Sequence, residues 1–135
     1  MGDRGQVKII CEGSPDLYLY THWGAESLPA VVASALDRGR GRWDDEEYLN
    51  RIVFSEMIQG YVMEETGFGI GFHEHGDVWR VVEINQSNKT AAVREINYDA
   101  VDLDDDDWMS QIVWNYSCEH VPYEMFIDEI GRAHV

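Results

Sequence analysis

Lysine is almost missing from this chain. It occurs only at Lys8 and Lys89, against eight arginines and 26 acidic residues in 135. At a formal net charge of −16, direct nucleic-acid binding over a broad face is disfavoured, because phosphate affinity rests on many Lys and Arg contacts. Cysteine is equally sparse. Cys11 and Cys118 form no Cys-x-x-Cys pair, which removes the common structural zinc site. Their spacing permits a disulfide, but reduced thiols are the expectation for an intracellular chain. Apolar runs are short: the longest, around Ala30–Leu36, falls far below the ~20 residues a membrane-spanning helix needs. The start, Met1-Gly2-Asp3-Arg4-Gly5, is charged and has no apolar segment, so no secretory leader is read and a cytoplasmic location is expected. Gly-x-Ser-x-Gly, Gly-x-x-x-x-Gly-Lys-Ser/Thr and His-Glu-x-x-His do not occur. Catalysis built on those motifs therefore has no foothold, and no cofactor is expected.

What is present suits one folded domain over residues 1–135, with 44% hydrophobic and 12% aromatic residues. The acidity has two readings. A dense carboxylate surface can imitate a phosphate array and occupy a basic groove on a nucleic-acid-handling protein. An acid-rich, lysine-poor surface also suits high salt, where screening removes self-repulsion.

The pattern predicts strands over Val7–Cys11 and Leu17–His22, paired as a hairpin around Ser14-Pro15-Asp16. Ser27 caps an expected helix from Leu28 to Arg38, with Pro29 in its first turn and Gly39 as its stop. Leu28, Val32, Ala35 and Leu36 recur at helical spacing. A second helix is expected from Asp44, with Glu47 completing an acidic capping box, Leu49, Ile52, Val53 and Met57 as its stripe, and Gly60 at its end. Phe68–Phe72, Val78–Ile84 and Thr90–Ile96 read as a three-stranded antiparallel meander. The glycines of Gly67-Phe68-Gly69-Ile70-Gly71 are expected to admit a bulky neighbour such as Trp23 or Trp43. Trp108, Ile112 and Tyr116 fit one helical face, and Pro122–Ile130 reads as a short helix or a strand, with a strand over Tyr123–Ile127 the expectation. The fold class expected is α+β: an antiparallel sheet made of hairpin plus meander, with two or three helices on one face.

Four constellations carry chemical interest. Arg38, Arg40 and Arg42 fall within five positions beside Trp43, around two glycines and ahead of a helix start. Such a loop can hold a phosphate, nucleotide or carboxylate, or can pair with the chain's own acids. In a strand, His73 and His75 would face one side and could share a metal with His22 or Asp77, the basis of a metal-dependent enzyme, or could simply form a solvent-exposed strand end. Asp102, Asp104, Asp105, Asp106 and Asp107 form an acidic run. It fails the EF-hand pattern, because Asp107 and Val113 stand where Gly and Glu are required, and a solvated helix start or a contact for a basic partner remains. Glu56 lies beside an apolar stripe, either exposed or paired with Arg51 or an arginine of the loop.

Three segments in order carry a resemblance: Tyr18-Leu19-Tyr20-Thr21-His22-Trp23-Gly24; Arg38–Asp45 leading into Tyr48-Leu49-Asn50-Arg51-Ile52-Val53-Phe54-Ser55-Glu56-Met57; and Thr66-Gly67-Phe68-Gly69-Ile70. Over residues 17–72 the chain resembles a group of small uncharacterised proteins of phages, prophages and actinobacterial or archaeal genomes. The resemblance implies an accessory protein of mobile elements or their hosts and transfers no activity. The acidic C-terminal third, with no Lys or Arg from Glu95 to Gly131, lies outside it. The functional expectation is a non-enzymatic binding protein, of anti-defence or DNA-mimic type, acting on a basic protein partner. A nucleotide or phosphate binder using residues 38–43 is the alternative.

Overall fold

The computed structural model describes residues 3–133. In chain order the elements are β1 (Gly5–Ile10), β2 (Leu17–Thr21), α1 (Leu28–Arg38), α2 (Glu46–Met57), β3 (Phe68–Gly71), β4 (Arg80–Asn85), β5 (Thr90–Ile96), β6 (Trp114–Pro122) and α3 (Tyr123–Ala133). Six strands form one mixed sheet in the order β3-β2-β1-β4-β5-β6. The class is α+β, and no helix among the described residues is long and apolar enough to cross a membrane.

The two early helices follow their local signals. Pro29 sits in the first turn of α1, and Gly39 closes it by donating to the Ala35 carbonyl at 2.8 Å. α2 begins one residue later than its acidic signature suggests: Asp45 is the N-cap, and its carboxylate accepts from the Tyr48 backbone N–H at 3.3 Å. β1 and β2 form the expected antiparallel hairpin, with Val7 opposite Leu19.

The sheet differs from an antiparallel hairpin-plus-meander. β4 runs parallel to β1, with Val7 opposite Val82 and Ile9 opposite Ile84. β3 does not neighbour β4; it pairs antiparallel with β2 at the far edge. Only β4–β5 of the expected meander is a direct hairpin. The C-terminal assignments also exchange. Trp108–Gln111 is a short 3-10 turn, Trp114–Pro122 is a strand rather than part of a helix, and Tyr123 opens a helix rather than a strand. The reason is tertiary: β6 supplies the last neighbour for β5, which its aromatic spacing of four residues does not advertise. In α3, Tyr123, Phe126, Ile127 and Ile130 recur at helical spacing and join one buried cluster or pack against it.

That cluster explains the alternation. Val7, Ile9, Leu19, Val82, Ile84, Ala91 and Val93 occupy alternate strand positions. They share the cluster with Leu28, Val32 and Leu36 of α1, Leu49 and Val53 of α2, and Tyr123 and Phe126 of α3. Each fully buried side chain of this size contributes roughly 1.5–3 kcal/mol relative to exposure. The intervening positions, among them Gln6, Tyr18, Tyr20, Glu83 and Arg94, belong to the opposite face.

Candidate functional site

The arginine loop is largely engaged by the protein itself. Arg38 Nε donates to Glu56 at 2.7 Å, and its guanidinium also reaches Ser55 Oγ at 2.9 Å. Arg40, in the short 3-10 turn after α1, joins Asp37 of α1 to Glu124 of α3. The bond from Glu124 and then that from Asp37 raise its pKa, so it stays charged. Arg42 lies 4.9 Å over the Tyr48 ring. Trp43 is half-buried, donates its indole N–H to the Leu36 carbonyl at 2.9 Å, and meets Tyr123 edge-on. These contacts tie α1, α2 and α3 together. They leave Arg38 and Arg40 neutralised, and none of the three cavities described below is lined by this loop.

The histidines are not assembled as a metal site either. β3 ends at Gly71, so His73 and His75 sit in a loop rather than a strand. Gln6, almost fully buried on β1, clamps that loop: its amide donates to the His73 carbonyl at 3.0 Å and accepts from the His75 N–H at 2.9 Å. His22 Nδ1 lies 3.0 Å from the Tyr20 hydroxyl and accepts from Arg4. The His75 ring instead packs on Tyr20. Among the described residues, no group of three or more His, Cys, Asp or Glu side chains could hold a metal ion. A second cavity, of about 180 Å³, opens between Tyr18, Tyr20, Gly69, Gly71 and this loop. A third, of about 210 Å³, lies by Trp79, Tyr98, Trp108 and Met109.

The run Asp102–Asp107 is exposed and satisfies its own backbone. Asp102 accepts from the Asp104 N–H, Asp105 from the Asp107 N–H and the Gln111 amide, and Asp107 from Ser110. Cys11 and Cys118 are free thiols.

One constellation escaped the sequence reading. Glu83 on β4 is 4% exposed, in a strand whose other buried residues are Val81, Val82 and Ile84. One carboxylate oxygen accepts from Arg94 Nε at 2.7 Å. The other accepts from the Tyr116 hydroxyl at 2.8 Å and lies 2.8 Å from His120 Nε2. Arg94 also pairs with Glu74 and stacks over Trp114 at 4.7 Å. Irregular β5–β6 pairing near Val93 accompanies the placement of Tyr116 and His120 over Glu83. Burial would raise the Glu83 pKa, but the bonds from Arg94, Tyr116 and His120 outweigh it and hold the carboxyl below its ordinary range. So saturated a carboxylate is a weak base, and none of the three cavities touches it. Its signal was a single acid inside an apolar strand.

The largest of the three cavities lies at the other end of the sheet. After α2 the chain turns at Gly60 (φ +86°), and Tyr61 donates its N–H to the Ile58 carbonyl at 2.7 Å. It then rejoins the sheet through Gly67, whose carbonyl accepts from the His22 N–H at 2.9 Å. Gly67 is required here. Its φ is +98°, and a Cβ would stand 2.6 Å from Trp23 Cζ3. The expectation of a bulky neighbour over these glycines is met by Trp23 at that position. The turn carrying Trp23 is fixed by Thr21 Oγ1, which accepts from the Gly24 N–H at 3.1 Å.

A cavity of about 650 Å³ results, a size typical of ligand sites. Trp23, Tyr61 and Phe68 supply aromatic walls, with Tyr61 and Phe68 ring centroids 5.9 Å apart. Leu28 and Met57 are its buried apolar lining. Glu64 at the exposed side is the one charged residue among those lining it, and it has no ion pair among the described residues. Between Arg51 and Arg80 the chain contains no lysine or arginine. Large apolar side chains face solvent along these segments: Trp23 is 66% and Met63 88% exposed, Val62 is similarly bare, and so are Ile70 and Phe72, which line the second cavity. β3 is the terminal strand of the sheet on this side. Sequence reading missed the cavity because Tyr61-Val62-Met63 falls in no periodic element.

No protein-family model, no curated protein and no solved structure matches the chain.

Proposed function

We propose that the protein is a non-enzymatic binding protein that meets a basic protein partner through the apolar end formed by Trp23, Tyr61–Met63 and β3, with its anionic body steering the encounter. The three helices take one face of the sheet, and the partner approaches at the β3 end beyond them. An accessory role in a mobile element or its host fits the segments over residues 17–72. The observation that carries the reading is the run of large apolar side chains left in water beside an aromatic cavity. Contiguous apolar patches on a monomer mark interaction sites, and isolated ones do not. Charge supports the choice of partner. At −16 a second copy is repelled, while a cationic surface is attracted over about a Debye length of 8–10 Å at moderate salt. Carboxylates are spread over α2, residues 64–65, residues 99–107 and α3. This breadth suits steering and salt tolerance better than a phosphate-spaced imitation of DNA.

The test is capture on immobilised protein at low salt with elution at rising salt, run beside Met63→Asp and an Asp104–Asp107 to Asn variant. Met63 is almost fully exposed, so its substitution leaves the fold intact. Met63→Asp should abolish capture, and the Asn variant should weaken it and flatten its salt dependence. Capture that is indifferent to Met63→Asp contradicts the reading.

A further inference from the structure

The chemistry of the cavity narrows what it can hold. Its walls are three aromatic rings, its buried lining is aliphatic, and its only charged liner is Glu64, whose carboxylate is not met by a cation among the described residues. Elsewhere the arginines take carboxylate partners: Arg4 with Asp77, Arg38 with Glu56, Arg40 with Asp37 and Glu124, Arg80 with Glu95, Arg94 with Glu83. With 26 acids against ten Lys and Arg, many carboxylates stand without a cation; Glu64 differs in standing at an aromatic cavity that has no other charged liner. Aromatic faces attract cations through their quadrupoles, the more strongly the drier the site, and repel anions. Thr21 and Ser27 are committed to Gly24 and add no charge.

We propose that the Trp23–Tyr61–Phe68 cavity receives an amphipathic organic cation, an ammonium or guanidinium carried on an apolar stem, with the stem against Leu28, Val31 and Met57 and the charge between the rings and Glu64. The inference rests on reading this end of the molecule as the contact surface, and it names the chemistry that surface takes. The cation comes either from a partner's lysine or arginine side chain or from a free small amine. Both present the same group to the same walls.

Isothermal calorimetry at low salt tests it with three probes of equal stem length: n-hexylammonium, n-hexanol and hexanoate. Hexylammonium should bind about tenfold or more tightly than hexanol, and hexanoate should not bind. Glu64→Gln, at an exposed position, should weaken hexylammonium about threefold to tenfold, and Trp23→Ala should remove binding. Equal binding of hexanol and hexylammonium, or an unchanged affinity in Glu64→Gln, overturns the proposal. A short Leu-Lys-Leu peptide against its acetyl-lysine counterpart separates the sources. Binding lost on acetylation assigns the cation to a partner side chain, and exclusion of both peptides while hexylammonium binds assigns it to a small amine. Amine binding together with capture indifferent to Met63→Asp sinks the partner reading and keeps the cavity assignment. Capture that depends on Met63 with no amine binding does the reverse.

Discussion

At Glu83 the chain buries a carboxylate and surrounds it with donors from Arg94, Tyr116 and His120. At Trp23 it leaves aromatic rings in water beside a carboxylate that nothing neutralises among the described residues. The Glu83 network has the makings of a reactive site, yet it is closed: its polar groups are spent on one another, and its carboxyl is held below its ordinary range. The Trp23 end has the outward form of poor packing, and it is open. In a molecule whose buried polar side chains are all satisfied among the described residues, unspent surface is the better guide to function than a buried charged cluster.

The comparison breaks most visibly at Glu83. Removing one member of a buried ion pair leaves its partner uncompensated, so Glu83→Ala should cost about 3–5 kcal/mol in urea unfolding. The pH dependence has a fixed sign. The folded-state pKa of Glu83 lies below its ordinary value of 4.5, so its contribution is complete above that value and is lost as pH falls through the folded-state value. The stability difference between wild type and Glu83→Gln should therefore be flat from neutrality down to about pH 5 and should shrink below it. A difference that grows on acidification contradicts the network described. Neither variant should alter binding at the Trp23 end.

Gly67 gives the next effect. Alanine there forces a side chain into left-handed backbone and against Trp23 Cζ3, so Gly67→Ala should cost about 2 kcal/mol and displace the indole. Calorimetry of the variant should show loss of ligand binding with the fold retained. Unchanged binding would mean that Trp23 does not shape the site.

Trp23→Ala should change stability by less than about 1 kcal/mol, because most of the ring is already in water. Its effect belongs to binding. Smallest is the neutralisation of Asp104–Asp107, expected within about 0.5 kcal/mol in stability and visible only as a weaker salt dependence of partner capture. A larger loss of stability there would mean that the turns these carboxylates accept are structural.

The early helices were legible because their signals are local: Pro29, Gly39 and the apolar stripes do not depend on the rest of the chain. The parallel pairing of β1 with β4 was not, since two helices and two strands intervene in sequence and a strand carries no mark of its neighbour's direction. Trp108, Ile112 and Tyr116 imitate a helix, yet Tyr116 belongs to a strand because β5 needed a neighbour. At the site, the closeness of Trp23 to Gly67 could be anticipated from the glycines. The cavity could not, since it needs α1, the loop after α2 and β3 in one place. The arginine loop was conspicuous in sequence because a cationic cluster stands out in an acidic chain, and in the fold Arg38 and Arg40 meet their own acids.

The most direct measurement is a nitrogen-15 NMR titration of the intact protein with n-hexylammonium at low salt. Shifts should be confined to Trp23, including its indole N–H, to Leu28, Val31 and Met57, and to residues 61–72, with Glu83, Arg94, Tyr116 and His120 unmoved. Perturbation centred on the Glu83 network, with the Trp23 indole silent, would contradict the assignment of function to the open end.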